Sequence, residues 1–356
     1  MSTPFTNSYT EDHVYDEGAE ACQEGDIVDF GTVFLPIFYS CVFAFGLVGN
    51  LLVVFVLTNS QKPKSITDIY LLNLAFSDLL FVATLPFWIH YVISDQGFSN
   101  AVCKLITAFF FIGFFGGIFF ITIISIDRYL AVVLATHSMR NRTVQHGVTI
   151  SLSVWAVAIL VAAPQFMFTK QNGSECLGDY PEILQEVWPV LQNVGANLLG
   201  FLLPLLTMSY CYLRIIWTLF SCKNHKKSKA IKLIFLVVIM FFLFWTPYNV
   251  MIFLETLKAF HFFPSCDVKK KLRLALSVTE TIAFSHCCLN PLIYVFAGQK
   301  FRRHLYHLYR KYLAILCRHP VEVSFYPSES QRSRRESVLS SNFTECTSHG
   351  DVSILL

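Results

Sequence analysis

Charge is the scarcest property of this sequence. Only 14% of its 356 residues are Asp, Glu, Lys or Arg, against about 25% in an ordinary soluble domain. With 54% hydrophobic residues and 35 Phe, too little polar surface remains to coat a water-soluble particle. A soluble enzyme, a disordered chain and a collagen-like repeat are therefore excluded. Positive charge is missing altogether from residues 1–29, which also lack an apolar core, so both marks of a secretory leader are absent there. Lipid must supply part of the solvent.

What is present is a set of long apolar runs. Those at 30–61, 105–126, 143–169, 187–213 and 233–254 carry no charged residue, and those at 69–94 and 274–299 carry one acid each, Asp78 and Glu280. A helix crosses a bilayer in about 20 residues. Lipid cannot hydrogen-bond an open backbone, and the runs are too continuous for the alternation of a barrel strand. The sequence thus predicts an all-α membrane protein, a seven-transmembrane helix bundle over 33–298 behind a tail at 1–32. Seven spans put the two termini on opposite sides. The amino-terminal side collects 7 Lys and Arg and the other side 20, so the positive-inside rule places the N-terminus outside the cell and the C-terminus in the cytoplasm. Of the sequons at Asn141, Asn172 and Asn342, only Asn172 falls outside and is a glycosylation candidate.

The compartments sort the remaining features. Residues 1–29 hold eight acids and Tyr9 and Tyr15, either a solvated tail or an arm that attracts a basic partner through its uncompensated field. Cys22, Cys103, Cys176 and Cys266 lie outside, where disulfides persist. Four cysteines allow three pairings, of which Cys103 with Cys176 and Cys22 with Cys266 is favoured. Cys41, Cys211, Cys287 and Cys288 lie within spans and read as buried small hydrophobes. Over 299–317, Phe301, Leu305, Leu308, Tyr312 and Leu316 recur at helical spacing among basic residues, predicting an amphipathic helix on the inner leaflet. Residues 318–356 read as a disordered tail, with Ser328, Ser330, Ser333, Ser337, Ser340 and Ser341 as phosphorylation candidates.

An ionisable group inside a span costs several kcal/mol in lipid and marks a functional site. Asp78 and Glu280 are such groups, with helix-to-helix bonding as their plainer role. Proline at 86, 164, 204, 247 and 291 breaks or bends inner helices, as in a bundle that opens around a cavity.

Each span also carries a recognisable run: Gly49-Asn50, Leu74-Ala75-Phe76-Ser77-Asp78, Asp127-Arg128-Tyr129, Trp155, Pro204, Phe244-Trp245-Thr246-Pro247 and Asn290-Pro291-Leu292-Ile293-Tyr294. Over 30–317 the chain resembles the rhodopsin-like G-protein-coupled receptors. Thr84-Leu85-Pro86, the extension of Asp127-Arg128-Tyr129 through Leu130-Ala131-Val132-Val133, and Glu280 with two extra outside cysteines resemble the chemokine receptors in particular. That resemblance implies no enzyme and no cofactor, and a basic chemokine bound by Tyr15, Asp16 and Glu17 of the tail and by Tyr39, Trp88, Phe109, Tyr248, Glu255 and Glu280 of the bundle. It further implies a switch through Trp245, Pro247, Asp127, Arg128, Tyr129, Tyr210, Asn290, Pro291 and Tyr294 to an inhibitory-class heterotrimeric G protein. Arrestin and receptor kinases at the tail and membrane lipid are the other implied partners, and no nucleic acid is. Asp78 matches the acid of the family's sodium site, but Gly117, His286 and Cys287 stand where many members complete it with Ser or Asn. Two other readings use the same seven spans. A transporter with Asp78 and Glu280 as relay acids lacks an internal inverted repeat here. A scavenging or adhesive receptor that never signals would have no use for Asp127-Arg128-Tyr129.

Overall fold

The computed structural model describes residues 25–59, 65–94, 97–134, 143–172, 175–221, 227–260, 262, 265–297, 305–306 and 310. Within them helix follows helix, as a solvent without hydrogen bonds demands. Six segments are long and apolar enough to cross a membrane: Val33–Thr58, Ile66–His90, Asn100–Val132, Val144–Phe168, Val187–Phe220 and Ile239–Ala259. They are spans one to six. Span seven is broken into Cys266–Phe284 and His286–Ala297 at Ser285. Its first turns carry Asp267, Lys269, Lys270, Lys271 and Arg273, so composition alone understates it. The helix of span one starts at Gly25, upstream of the tail boundary expected at residue 32.

Local sequence explains the starts and interruptions. Span two opens on a capping box, in which Ser65 Oγ accepts from the Asp68 amide while Asp68 Oδ2 accepts from the Ser65 amide at 2.9 Å. It pauses after Val82 and restarts as Leu85–Ile93 with Pro86 in the first turn, where a missing N–H costs nothing. In span five a wide turn over Leu198–Leu202 precedes Pro204. In span seven Pro291 cannot donate to the carbonyl of Cys287, four residues back. Asn50 of span one donates to that carbonyl instead, at 3.2 Å.

Close packing joins spans two, three and four. Ser77 Oγ donates to the Gly113 carbonyl at 2.8 Å, and a Cβ on Gly113 would sit 2.7 Å from the Phe81 amide nitrogen. Asn73 accepts at 2.8 Å from the indole of Trp155, which ties span four to span two. The core is aromatic, with Phe110, Phe111, Phe120, Phe241 and Tyr248 almost wholly buried. One expectation fails: Cys41 is exposed on the bundle surface, and only Cys211 and Cys287 of the four span cysteines are buried. A cysteine is small and apolar enough to face lipid as readily as protein.

Outside the bundle, Thr169–Asn172 (β1) and Glu175–Gly178 (β2) form an antiparallel hairpin. Cys103, in the first turn of span three, is disulfide-bonded to Cys176 of β2, as the sequence favoured. Lys104 adds a bond to the Met167 carbonyl at 3.3 Å. Asn172 lies exposed in β1. Beyond span seven, Leu305 packs against the cluster of Val53, Val56 and Ala75 in spans one and two, and the Arg310 guanidinium lies 4.9 Å from the Tyr306 ring centre.

Candidate functional site

In the half of the bundle that carries the hairpin, three spans bring polar groups to one point. Glu280 of span seven is fully buried, and its carboxyl lies within electrostatic reach of the phenols of Tyr39 in span one and Tyr248 in span six. Tyr39 hydrogen-bonds Thr281, whose hydroxyl donates on to the Ser277 carbonyl at 2.6 Å. An acid held here, against the cost of removing it from water, is poised to meet a cation.

The wall around this group is aromatic. Phe284 stands beside Tyr39 at 6.5 Å, Tyr248 at 6.3 Å, Phe81 at 5.2 Å and Phe110 at 5.2 Å between ring centres. Trp88 closes on Phe110 at 6.0 Å. Such pairs contribute about 0.5 to 1.5 kcal/mol each beyond their buried area. The sequence reading named Tyr39, Trp88 and Tyr248 but missed Phe81, Phe110 and Phe284. It named Phe109 instead, which is 45% exposed and outside the buried cluster. Nothing in a run of three phenylalanines tells which one faces inward. Glu255 lies farther out and pairs with Lys258 at 2.9 Å, both side chains largely shielded.

Further groups of contacts lie along the bundle. Trp245 packs on Phe114 of span three at 5.1 Å and on His286 of span seven at 5.8 Å, two residues before Pro247 of the same helix. Lower down, Asn290 donates to Asp78 at 2.8 Å. Near the C-terminal end of span three, Thr67 of span two donates to buried Asp127 at 3.0 Å. Ser125 bonds the Tyr212 hydroxyl at 3.0 Å, and Arg128 lies within electrostatic reach of that same phenol. Tyr129 and Tyr210 are hydrogen-bonded with rings 5.8 Å apart, Tyr210 being 55% exposed.

A family model described as "7 transmembrane receptor (rhodopsin family)" matches residues 49–294. CX3C chemokine receptor 1 of Oryctolagus cuniculus is 77% identical over 356 residues, all of both chains. The protein of that name from Homo sapiens is 77% identical over 352 residues, 99% of each. C-C chemokine receptor type 4 of Homo sapiens is 43% identical over 350 residues, 97% of this chain and 95% of the other. The chain belongs to the rhodopsin family of seven-transmembrane receptors.

The receptor is therefore a multi-pass membrane protein and no enzyme. Its family raises the matter of sodium. A cavity of about 30 Å³ lies beside Asp78, lined also by Gly117, Trp245, His286 and Cys287, roughly the space of one water. The donors do not fit a sodium ion, a hard cation that seeks several oxygens. Asp78 is the only lining residue with an oxygen-bearing side chain, and one of its oxygens is taken by Asn290. Ser77 nearby is committed to Gly113. Among the described residues no three His, Cys, Asp or Glu side chains gather to hold a metal.

Several residues of the receptor named from its sequence lie outside the described residues: Tyr15, Asp16, Glu17, Cys22, the side chains of Cys266 and Tyr294, and the six tail serines. The pairing of Cys22 with Cys266 lies outside them as well.

Proposed function

We propose that the receptor sits in the plasma membrane with its N-terminus outside and its C-terminus in the cytoplasm, and that it binds a basic chemokine, fractalkine. Binding activates an inhibitory-class heterotrimeric G protein and supports migration and adhesion of the cells that carry it. The observation that carries this reading is Glu280, wholly buried beneath the outer surface between Tyr39 and Tyr248. An acidic tail above a buried acid walled by aromatic rings suits a cationic protein with an extended end. The ligand's identity is supported by full-length relatives named for a CX3C chemokine.

In this mechanism the tail and outer loops hold the globular part of the chemokine, while its end enters between Tyr39, Tyr248 and Glu280. The ligand shifts the receptor only as far as its contacts differ between closed and open states. Trp245 links this aromatic cluster, through Phe114 and Phe110, to the Pro247 bend, and Asp78 with Asn290 couples spans two and seven below it. At the inner face, Arg128 receives the tail of the G protein when spans three, five and six separate, and Tyr210 and Tyr294 move with it. Receptor kinases and arrestin then act on the serine-rich tail. Membranes holding the receptor and the inhibitory-class G protein should turn over GTP when the chemokine is added. Binding without turnover would leave an adhesive or scavenging receptor.

A further inference from the structure

Four of the seven Lys and Arg residues on the outer side sit together at the start of span seven, as Lys269, Lys270, Lys271 and Arg273. A receptor for a basic ligand gains nothing from such a cluster unless another anion covers it. Lys170 pairs with Asp179 and Lys258 with Glu255, while among the described residues no acid pairs with Lys269, Lys270 or Lys271. Lys271 is exposed, and Lys269 and Lys270 are half-buried.

We propose that the receptor's own acidic arm, residues 11–24, seats on this basic end of span seven when no ligand is bound. The arm carries Glu11, Asp12, Asp16, Glu17, Glu20 and Glu24 with no Lys or Arg among them. It joins the fold at the right place. Span one packs against Cys266–Phe284, meeting it where Tyr39 bonds Thr281. Outward from that contact, Gly25 lies about 21 Å up span one and Lys269 about 18 Å up span seven at 1.5 Å per residue. The arm thus departs at nearly the height of the lysines and one helix away. Its fourteen residues, reaching at most about 3.5 Å each, cover that gap several times over. Six acids against three lysines at contact distance lie well inside the screening length of about 8 Å at physiological salt. A basic ligand therefore meets an arm already paired and must exchange with the lysines for it. Capture then depends on competition between two sets of cations.

The proposal takes from the functional reading only that the arm and the cluster share one side of the membrane. Its test uses no chemokine, so either can fail alone. A carbodiimide joins carboxylates to ammonium groups in direct contact without a spacer. Applied to the full-length receptor in nanodiscs and mapped by mass spectrometry, it should join residues 11–24 to Lys269, Lys270 or Lys271 within one chain at low salt. Those links should be lost in 1 M NaCl, a comparison that needs no variant. Arm carboxylates linked to other lysines, links found only between two chains, or links indifferent to salt would overturn the proposal. So would protection of the three lysines by a heparin oligosaccharide with the arm left unlinked, which would make the cluster a glycan surface.

Discussion

The side chain of Asn50 in span one donates to the carbonyl of Cys287 in span seven at 3.2 Å, the carbonyl that Pro291 leaves without its helical partner. Asn50 is fully buried and bonds the Gly46 carbonyl as well. A side chain more than two hundred residues distant thus completes the backbone of a proline-broken helix. Asn50→Leu removes the donor and strands a buried carbonyl, at a cost of about 1 to 3 kcal/mol. The melting midpoint of the purified receptor should fall; an unchanged midpoint would show that the carbonyl finds another partner.

Glu280 is the acid that the ligand's charged end is expected to meet. Glu280→Gln keeps the shape and removes the charge, so GTP turnover at saturating chemokine should drop more than surface binding, which the tail and loops maintain. Equal losses in displacement and turnover assays would mean that Glu280 only helps to hold the ligand. Full turnover would remove it from the mechanism.

Asp127 is held by Thr67 across spans two and three at 3.0 Å, beside the arginine expected to receive the G protein. Thr67→Val and Asp127→Asn should both raise ligand-free GTP turnover, the second more strongly. Arg128→Asn should reach the surface and bind chemokine but activate no G protein. Ligand-driven activation that survives in Arg128→Asn would sink the proposed switch.

Tyr15 precedes Asp16 and Glu17, an acidic setting that favours sulfation, which adds a fixed negative charge. Tyr15→Phe should lower chemokine affinity and flatten its dependence on salt, because exposed charges act only within about 8 Å at physiological ionic strength. If affinity and salt slope are both unaltered, Tyr15 serves merely as a spacer.

The number and kind of the spans were decided by the sequence itself. Twenty apolar residues without charge must form a helix in lipid, whatever lies beside them, because each backbone bond closes within the helix. The four cysteines assigned outside leave three pairings in the sequence, of which Cys103 with Cys176 is favoured, and the fold forms that bond. The family motifs Asp127-Arg128-Tyr129 and Asn290-Pro291 were plain in the chain.

The tertiary structure alone decided what faces what. Hydropathy reads straight through Ala83-Thr84 and Ser285, yet both interrupt a helix, because polar contacts with neighbouring helices can replace lost backbone bonds. Phe109 and Phe110 are equally apolar, and one helical step of 100° separates an exposed ring from a buried one. In lipid both faces of a helix are hydrophobic, so sequence period carries little information about which side is inward. Tyr39, Tyr248 and Glu280 gather from spans one, six and seven, and no local pattern links residues so far apart. Hydropathy places a residue in depth across the membrane; only the packing of seven helices sets its direction.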